Sequence, residues 1–267
     1  MAAQSYHYKS VWLSDLHLGS KDCKADYLLD MLSKTSCETL YLVGDVIDIW
    51  ALERRFSWPE KHNQVVDALI KKAQSGTKVI YLPGNHDEKV KKYIGMTFAE
   101  VEIKQEVIHT TNAGKKMLIT HGDVFDGEVC LGKWQAVLGD ILYDLLLFLN
   151  RCCFSMRKTF GFGYWSLAGY IKGRVKGANE AIKRYQHAAI KYAKQKGADG
   201  IICGHIHQPD VQMINGYLYC NDGDWIENCT LLAENLDGSI ELIYWTETIQ
   251  SITQFEHISV KPNKQAA

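Results

Sequence analysis

Five times along the chain a short apolar run stops abruptly at a cluster of polar residues: VWLSDLHLG from residue 11, TLYLVGDVID from 39, KVIYLPGNHDE from 78, KMLITHGD from 116 and IICGHIHQP from 201. Continuous runs of this length, rich in β-branched and aromatic residues, predict strands buried on both faces. The polar clusters then fall at strand ends, where open α/β sheets place their chemistry. The first four clusters are 30 to 40 residues apart, as strand-helix units require, whereas His121 and His205 are separated by about twice that. The long gap predicts an insertion at 125–185, between core segments 1–124 and 186–267.

Helical periodicity fills the spaces between. In PEKHNQVVDALIKKAQSG, Pro59 suits a first turn, Val65, Val66, Leu69 and Ile70 recur at helical spacing, and Gly76 marks a stop. GANEAIKRYQHAAIKYAKQKG gathers Ala181, Ile182, Tyr185, Ala189 and Tyr192 on one face and stops at Gly197. GYLYC, CTLLAEN and SIELIYW read as later strands, with NLDGS as the turn between the last two.

Composition narrows the class. The 267 residues, 46% apolar and 23% charged with formal net charge −1, predict a soluble globular chain with no global attraction to polyanions. Eight cysteines are scattered without a C-x-x-C, which favours free thiols in a reducing compartment. The N-terminus lacks the cationic and long apolar regions of a signal peptide. The apolar stretch at 136–150 is interrupted by Asp140 and Asp144 and is shorter than the roughly 20 residues that span a bilayer. It suits contact with a membrane surface instead.

The chemistry-bearing residues are Asp15 and His17, Asp45 and Asp48, Asn85, His86 and Asp87, His121, and His205 and His207. The last two, one residue apart on extended chain, point the same way. Carboxylates, an amide oxygen and imidazoles make a mixed oxygen and nitrogen set suited to Mn²⁺, Fe²⁺, Zn²⁺ or Co²⁺. They are too many for one ion and fit two ions about 3.5 to 4 Å apart that share a carboxylate. Gly44, Gly84 and Gly204 each precede a candidate ligand and let the backbone turn close to the metals. For Asp48 and Asp87 a capping or turn role is an equal reading. His109 and His187 lie outside the motifs and read as structural or surface residues.

In its pattern of D-x-H, G-D-x-x-D, G-N-H-[DE], H and G-H-x-H, the chain resembles the calcineurin-like metallophosphoesterase superfamily. The resemblance implies a four-layer α/β/β/α sandwich with a helical cap insertion and the site at one edge. It implies that Asp15, His17 and His207 hold one metal, Asn85, His121 and His205 hold the second, and Asp45 bridges. His86 would stay off the metals and protonate the leaving oxygen or stabilise phosphoryl charge, with Asp48 orienting it. A member of this superfamily hydrolyses phosphoester or phosphoanhydride bonds.

Specificity must then come from the insertion. Residues 151 to 176 hold six basic residues (Arg151, Arg157, Lys158, Lys172, Arg174, Lys176), six aromatics and no Asp or Glu. Three readings stand: an ordinary packed cap with solvated charges, a single-stranded nucleic acid platform, or a surface for an amphipathic phosphate-bearing lipid. The Leu-rich run before the basic segment favours the lipid over nucleic acid, which needs no such surface. The layout, with a helical insertion between HGD and GHxH and a late Gly223-Asp224-Trp225, resembles the UDP-2,3-diacylglucosamine diphosphatase family of lipid A biosynthesis.

That resemblance implies hydrolysis of UDP-2,3-diacylglucosamine to UMP and 2,3-diacylglucosamine 1-phosphate, two divalent ions of which Mn²⁺ is the common choice, and a cytoplasmic location, peripheral on the inner face of the inner membrane. The expected partner is the nucleotide-linked acylated sugar, with peripheral membrane contact through the cap and no nucleic acid. Arg174, Lys176 and Lys183 are the expected substrate contacts, by charge and position. Two departures stand out: the best-known branch of that family has Arg at the position of His86, and GHTHRP in place of GHIHQP. A phosphodiesterase or nuclease of another substrate is the enzymatic alternative. A scaffold of the same fold without turnover is the other, and the intact ligand set argues against it.

Overall fold

The computed structural model describes residues 5–129, 133–172, 176–247 and 249–254. Each of the five apolar runs forms a strand ending at its polar cluster: β1 (Tyr6–Leu13), β2 (Thr35–Val43), β3 (Lys78–Leu82), β7 (Lys116–Ile119) and β8 (Gly200–Cys203). Between β3 and β7 lie β4 (Thr97–Phe98), β5 (Val101–Ile103) and β6 (Val107–Thr110). After β8 come β9 (Asp210–Ile214), β10 (Tyr217–Asn221), β11 (Thr230–Glu234), β12 (Ile240–Trp245) and β13 (Ile249–Gln254). The helices are α1 (Ala25–Lys34), α2 (Ile49–Arg54), α3 (Glu60–Gln74), α4 (Asp126–Val129), α5 (Lys133–Thr159), α6 (Leu167–Lys172) and α7 (Lys176–Gln195).

The strands form an eight-stranded sheet, ordered β13-β12-β11-β1-β2-β3-β5-β4, and a five-stranded sheet, ordered β6-β7-β8-β10-β9. Within the first, β1, β2 and β3 run parallel, as do β7 and β8 in the second. Their polar ends therefore gather along one edge. The continuous apolar runs have a direct cause: both faces of these strands are covered. Trp12, Tyr41, Val43, Ile80 and Leu82 face Met117, Ile119, Ile202 and Leu218 of the other sheet. On the opposite face, Val11, Leu13, Leu40, Leu42 and Val79 pack against Leu28 and Met31 of α1 and Val65 and Leu69 of α3. Leu118, Ile201 and Tyr219 of the smaller sheet pack against Tyr185, Ala189 and Ala193 of α7. The order is helices, sheet, sheet, helix, the four-layer sandwich with a helical insertion.

Local signals behave as their chemistry demands. Pro59 stands immediately before α3, and Gly76 ends it with φ 98°. The 235–239 turn joins β11 to β12 in antiparallel pairing, with Gly238 at φ 85°. The expected boundary at residue 185 falls inside α7, which runs unbroken from the insertion into the outer layer of the core. Among the described residues no helix is long and apolar enough to cross a membrane.

Candidate metal centre

Seven of the residues singled out in the sequence meet at the shared edge of the two sheets. Three donor sets converge with their ligand atoms within 4.8 Å of one another: Asp15, His17 and His207; His17, Asp45 and His86; and Asp45, His121 and His205. Asp15, His17, Asp45, His121 and His207 are buried, although each is polar. Asp15 Oδ1 stands 3.6 Å from Nε2 of both His17 and His121 and 3.1 Å from Nε2 of His207. Asp45 Oδ2 lies 3.8 Å from His17 Nε2 and 3.6 Å from His121 Nε2, between the two outer sets. These two outer sets, joined through Asp45, form a candidate dinuclear centre for divalent metal.

Whether the residues fit metal is decided by what they leave unsatisfied. Nε2 of His17, Nε2 of His121 and Oδ1 of Asn85 are buried without a hydrogen-bond partner. Leaving such atoms unpaired costs roughly 1–3 kcal/mol each, and both imidazole nitrogens lie within 3.8 Å of the buried Asp15 and Asp45 carboxylates, an arrangement that fits a cation pair taking their lone pairs. The electrostatics agree. Burial opposes the charge on Asp15, yet the neighbouring His207, which also hydrogen-bonds it, and the close approach of the His121 and His17 rings hold its carboxyl well below the usual range. Burial likewise disfavours imidazolium, but Asp15, Asp48 and Asp45 push His17 up to about 9. Against the same opposition, Asp15 and Asp224 push His207 up to about 10. Protons on these rings stand in for the positive charge that the site is built to hold.

The backbone is bent to reach this geometry. Asp15, His17, Asp45, His205 and His207 all adopt positive φ, between 47° and 71°. A non-glycine residue pays about 1–2 kcal/mol to sit there, so strain concentrates on the candidate ligands themselves. The chain is tied down at the same points: Asp15 N donates to Gly44 O at 3.0 Å and His17 N to Asp45 O at 2.9 Å. His86 N donates to Asp45 Oδ1 at 2.8 Å, and His205 N to Asp15 Oδ2 at 2.8 Å. The close approach explains two glycines. A Cβ on Gly84 would stand 2.3 Å from Asp45 Oδ1, and one on Gly204 would stand 2.4 Å from Asp15 Oδ2.

Asp48 takes the capping role and also reaches two imidazoles of the site. Its Oδ1 accepts from Ala51 N at 2.8 Å and so caps α2, while Oδ1 also faces His86 Nδ1 at 3.0 Å and Oδ2 faces His17 Nδ1 at 3.1 Å. Burial opposes its charge, but bonds from His17 and His86 drive its carboxyl far below the usual range. Asp87 is a tie between loops: it is buried and accepts from Gly84 N at 2.6 Å, Val46 N at 2.8 Å and the Tyr81 hydroxyl. His109 bonds Glu234 in the interior and His187 bonds the Lys183 carbonyl at the surface, so both lie away from the metal centre.

The expected substrate contacts are not brought to the centre by any described contact. Lys183 is exposed on α7, Lys176 opens that helix with a side chain outside the described residues, and Arg174 lies outside them altogether. Other residues do reach the site without having been singled out. Trp50 lies against His86, ring centroids 4.2 Å apart. Ser14 Oγ is 2.6 Å from both Asp15 Oδ2 and Asp222 Oδ1, and Glu227 Oε1 is 3.7 Å from His207 Nδ1. Isolated Ser, Asp and Glu beside turns look the same in sequence as solvated ones.

The family described as calcineurin-like phosphoesterase matches residues 8–209. A UDP-2,3-diacylglucosamine hydrolase of Neisseria meningitidis is 25% identical over 244 residues, spanning 86% of this chain and 95% of that protein. A protein of the same name from Aromatoleum aromaticum is 29% identical over 219 residues, spanning 78% of this chain and 84% of its own. Among solved structures, a mutant of Vps29 from Entamoeba histolytica superposes with a TM-score of 0.49 at 14% identity, spanning 92% of this chain and 99% of that one.

Proposed function

The chain belongs to the calcineurin-like phosphoesterase family, and from that footing we propose that it hydrolyses the diphosphate of a UDP-linked acylated sugar, UDP-2,3-diacylglucosamine, to UMP and the acylated sugar 1-phosphate. The observation that carries the substrate class is the exposed apolar and basic surface of the cap, set against the loop that carries Asp15 and His17. Arg151 of α5 pairs with Asp22, five residues beyond His17. From there Phe148, Leu149, Met156, Phe160 and Phe162 stand exposed with Lys158 among them, while half-buried Arg151 and Arg157 are held by Asp22 and the Gly163 carbonyl. A ligand with acyl chains and phosphates meets both halves of that surface. The names of the relatives in Neisseria and Aromatoleum support the same substrate.

The residues divide the work as follows. Asp15, His17 and His207 would hold one divalent ion, Asn85, His121 and His205 the other, with Asp45 shared; Mn²⁺ is the proposed metal. When bound, such a pair supplies Lewis-acid polarisation of a phosphoryl oxygen and lowers the pKa of water. His86, held at Nδ1 by Asp48, presents Nε2 to the leaving oxygen as proton donor or charge stabiliser. Trp50 covers one face of that ring and limits its access to water. Arg174, Lys176 and Lys183 remain the proposed anionic contacts. The same exposed apolar residues suit work on the inner face of a membrane, from the cytoplasmic side.

A nuclease reading is weaker because part of the aromatic set is already engaged. Phe154 and Tyr164 pack edge to face at 5.2 Å and the Tyr164 hydroxyl donates to Glu227 O at 2.5 Å, so these two rings are taken up by packing. The test is to incubate Mn²⁺-loaded protein with UDP-2,3-diacylglucosamine, a simple phosphodiester and single-stranded DNA. Release of UMP from the first alone supports the proposal. Cleavage of DNA with no action on the sugar nucleotide replaces it.

A further inference from the structure

The two imidazoles of the second metal set are gripped by one short turn. His121 and His205 stand with ring centroids 5.0 Å apart and planes at 73°. His121 Nδ1 faces Asp123 Oδ1 at 3.3 Å, and His205 Nε2 faces Asp126 Oδ1 at 2.7 Å. Asp123 begins a 3-10 turn that ends at Phe125, and Asp126 begins α4 directly after it. This is where the chain leaves the core for the cap. Phe125 pins the turn: it is buried and meets Tyr185 and Tyr192 of α7 edge to face, at 5.4 and 5.6 Å. Lys91 Nζ, 2.8 Å from Asp123 Oδ2, ties it from the other side.

A carboxylate accepts but does not donate, so the imidazole nitrogen it faces must carry the proton. On His121 that nitrogen is Nδ1, which leaves Nε2, the buried atom without a partner, directed at Asp15 and Asp45. On His205 the proton sits on Nε2 and the lone pair on Nδ1. Two carboxylates three residues apart thus fix opposite tautomers on the two rings of one metal set. The other set is held from elsewhere: His17 by Asp48 at the start of α2, and His207 beside Glu227.

We propose that Asp126 is a positioning residue that sets the tautomer and orientation of His205, so that the seating of the cap root governs occupancy of the second metal position and leaves the first untouched. Asp126 is largely exposed, its side chain 62% accessible, and a surface ion pair there would contribute almost nothing to stability. Its value lies in where it directs the lone pair of a ligand. Partners behind metal-bound histidines change metal affinity by about 10- to 100-fold when removed. The inference rests on the dinuclear reading above, and its test is kept separate from turnover.

The experiment uses the full chain with Asp126→Ala and Asp126→Asn, and with Asp123→Ala as the matching change behind His121. Nitrogen-15 spectra of the His205 ring in metal-free protein at about pH 8, above the ordinary imidazole range, report which of its nitrogens carries the proton. Calorimetric titration with Mn²⁺ reports the two affinities. The wild-type protein is expected to show His205 protonated at Nε2, and Asp126→Ala to lose that preference while weakening one Mn²⁺ event by about 10- to 100-fold. Asp126→Asn, which keeps an acceptor oxygen, should recover most of both. An unchanged His205 tautomer with both affinities within about twofold of wild type overturns the proposal. Wild-type protein that binds two Mn²⁺ and shows the tautomer effect, yet releases no UMP, leaves this inference standing and removes the substrate reading.

Discussion

The Trp50 indole lies across the His86 imidazole with ring centroids 4.2 Å apart and planes at 36°, while Asp48 Oδ1 fixes Nδ1 of the same ring at 3.0 Å. One neighbour sets the plane of the ring and the other its rotation. Nε2 is thereby aimed without being tied. Replacing His86 by Ala should lower kcat by about 10²- to 10⁴-fold, the usual worth of a positioned proton donor, and leave Mn²⁺ stoichiometry at its wild-type value. Trp50→Ala removes only the aromatic contact, worth about 0.5–1.5 kcal/mol, and should cost roughly 2- to 13-fold, with Trp50→Phe close to wild type. Steady-state kinetics on the three variants check the order; a Trp50→Ala enzyme as poor as His86→Ala would show that the indole does more than hold the ring.

Asp45 stands between the two donor sets, within 3.8 Å of His17 Nε2 and 3.6 Å of His121 Nε2. Asp45→Ala should abolish Mn²⁺-dependent hydrolysis and remove the coupling between the two metal positions, visible as the loss of spin exchange in the Mn²⁺ resonance spectrum. Activity at the wild-type level in this variant would defeat a shared-carboxylate mechanism. Gly204→Ala attacks the same centre sterically, because its Cβ would stand 2.0 Å from Ser14 Oγ. A loss of about 1–3 kcal/mol in urea unfolding is expected.

Metal-free protein should lose stability as pH rises. The His17 and His207 rings are raised to about 9 and about 10 in the folded chain, against an ordinary value of 6.5. A group whose folded pKa is raised contributes fully below its unfolded pKa and loses that contribution as pH climbs through the folded one. For these rings the decline should run from above 6.5 to about 10. Bound Mn²⁺ replaces the protons, so the loaded protein should be flatter over the same range. Thermal melts of chelator-treated and Mn²⁺-loaded samples across this window provide the check, and a metal-free Tm that rises with pH would contradict the charge arrangement of the site.

How much of this was legible in sequence depended on what each residue had to do alone. Strands covered on both faces give unbroken apolar runs, so the ends of β1, β2, β3, β7 and β8 were readable, and with them the residues at those ends. The short β4, β5 and β6 gave no signal, since two to four residues carry no period. Asp123 and Asp126 stayed hidden for a different reason. Their role exists only through His121 and His205, one of which is 79 residues away along the chain, and an Asp in a turn is the commonest kind of Asp. The αL backbone at Asp15, His17 and Asp45 was equally invisible, because tertiary contacts impose it against local preference.

Glu234 offers a test of the sandwich that does not pass through the metal centre. It is fully buried on β11 of the larger sheet, and its Oε2 accepts from His109 Nε2, on β6 of the smaller sheet, at 2.7 Å. Oε1 accepts from Asn112 N at 2.7 Å, and the Tyr41 hydroxyl meets the other His109 nitrogen at 3.1 Å. With Tyr41 donating to Nδ1 and Nε2 donating to Glu234, a neutral imidazole satisfies both neighbours and pins one sheet to the other. Burial opposes the charge on Glu234, but the His109 and Asn112 bonds lower its pKa below 4.5 overall. A lowered carboxylate contributes stability above its unfolded pKa and loses it as pH falls through the folded value. Glu234→Gln should therefore cost about 1–3 kcal/mol near neutral pH, and the gap to wild type should narrow as the solution is acidified below 4.5. Paired urea titrations of the two proteins, at neutral pH and on the acid side of that value, measure the gap directly. A gap that is constant with pH would mean that the ionisation of Glu234 contributes nothing to pinning the two sheets.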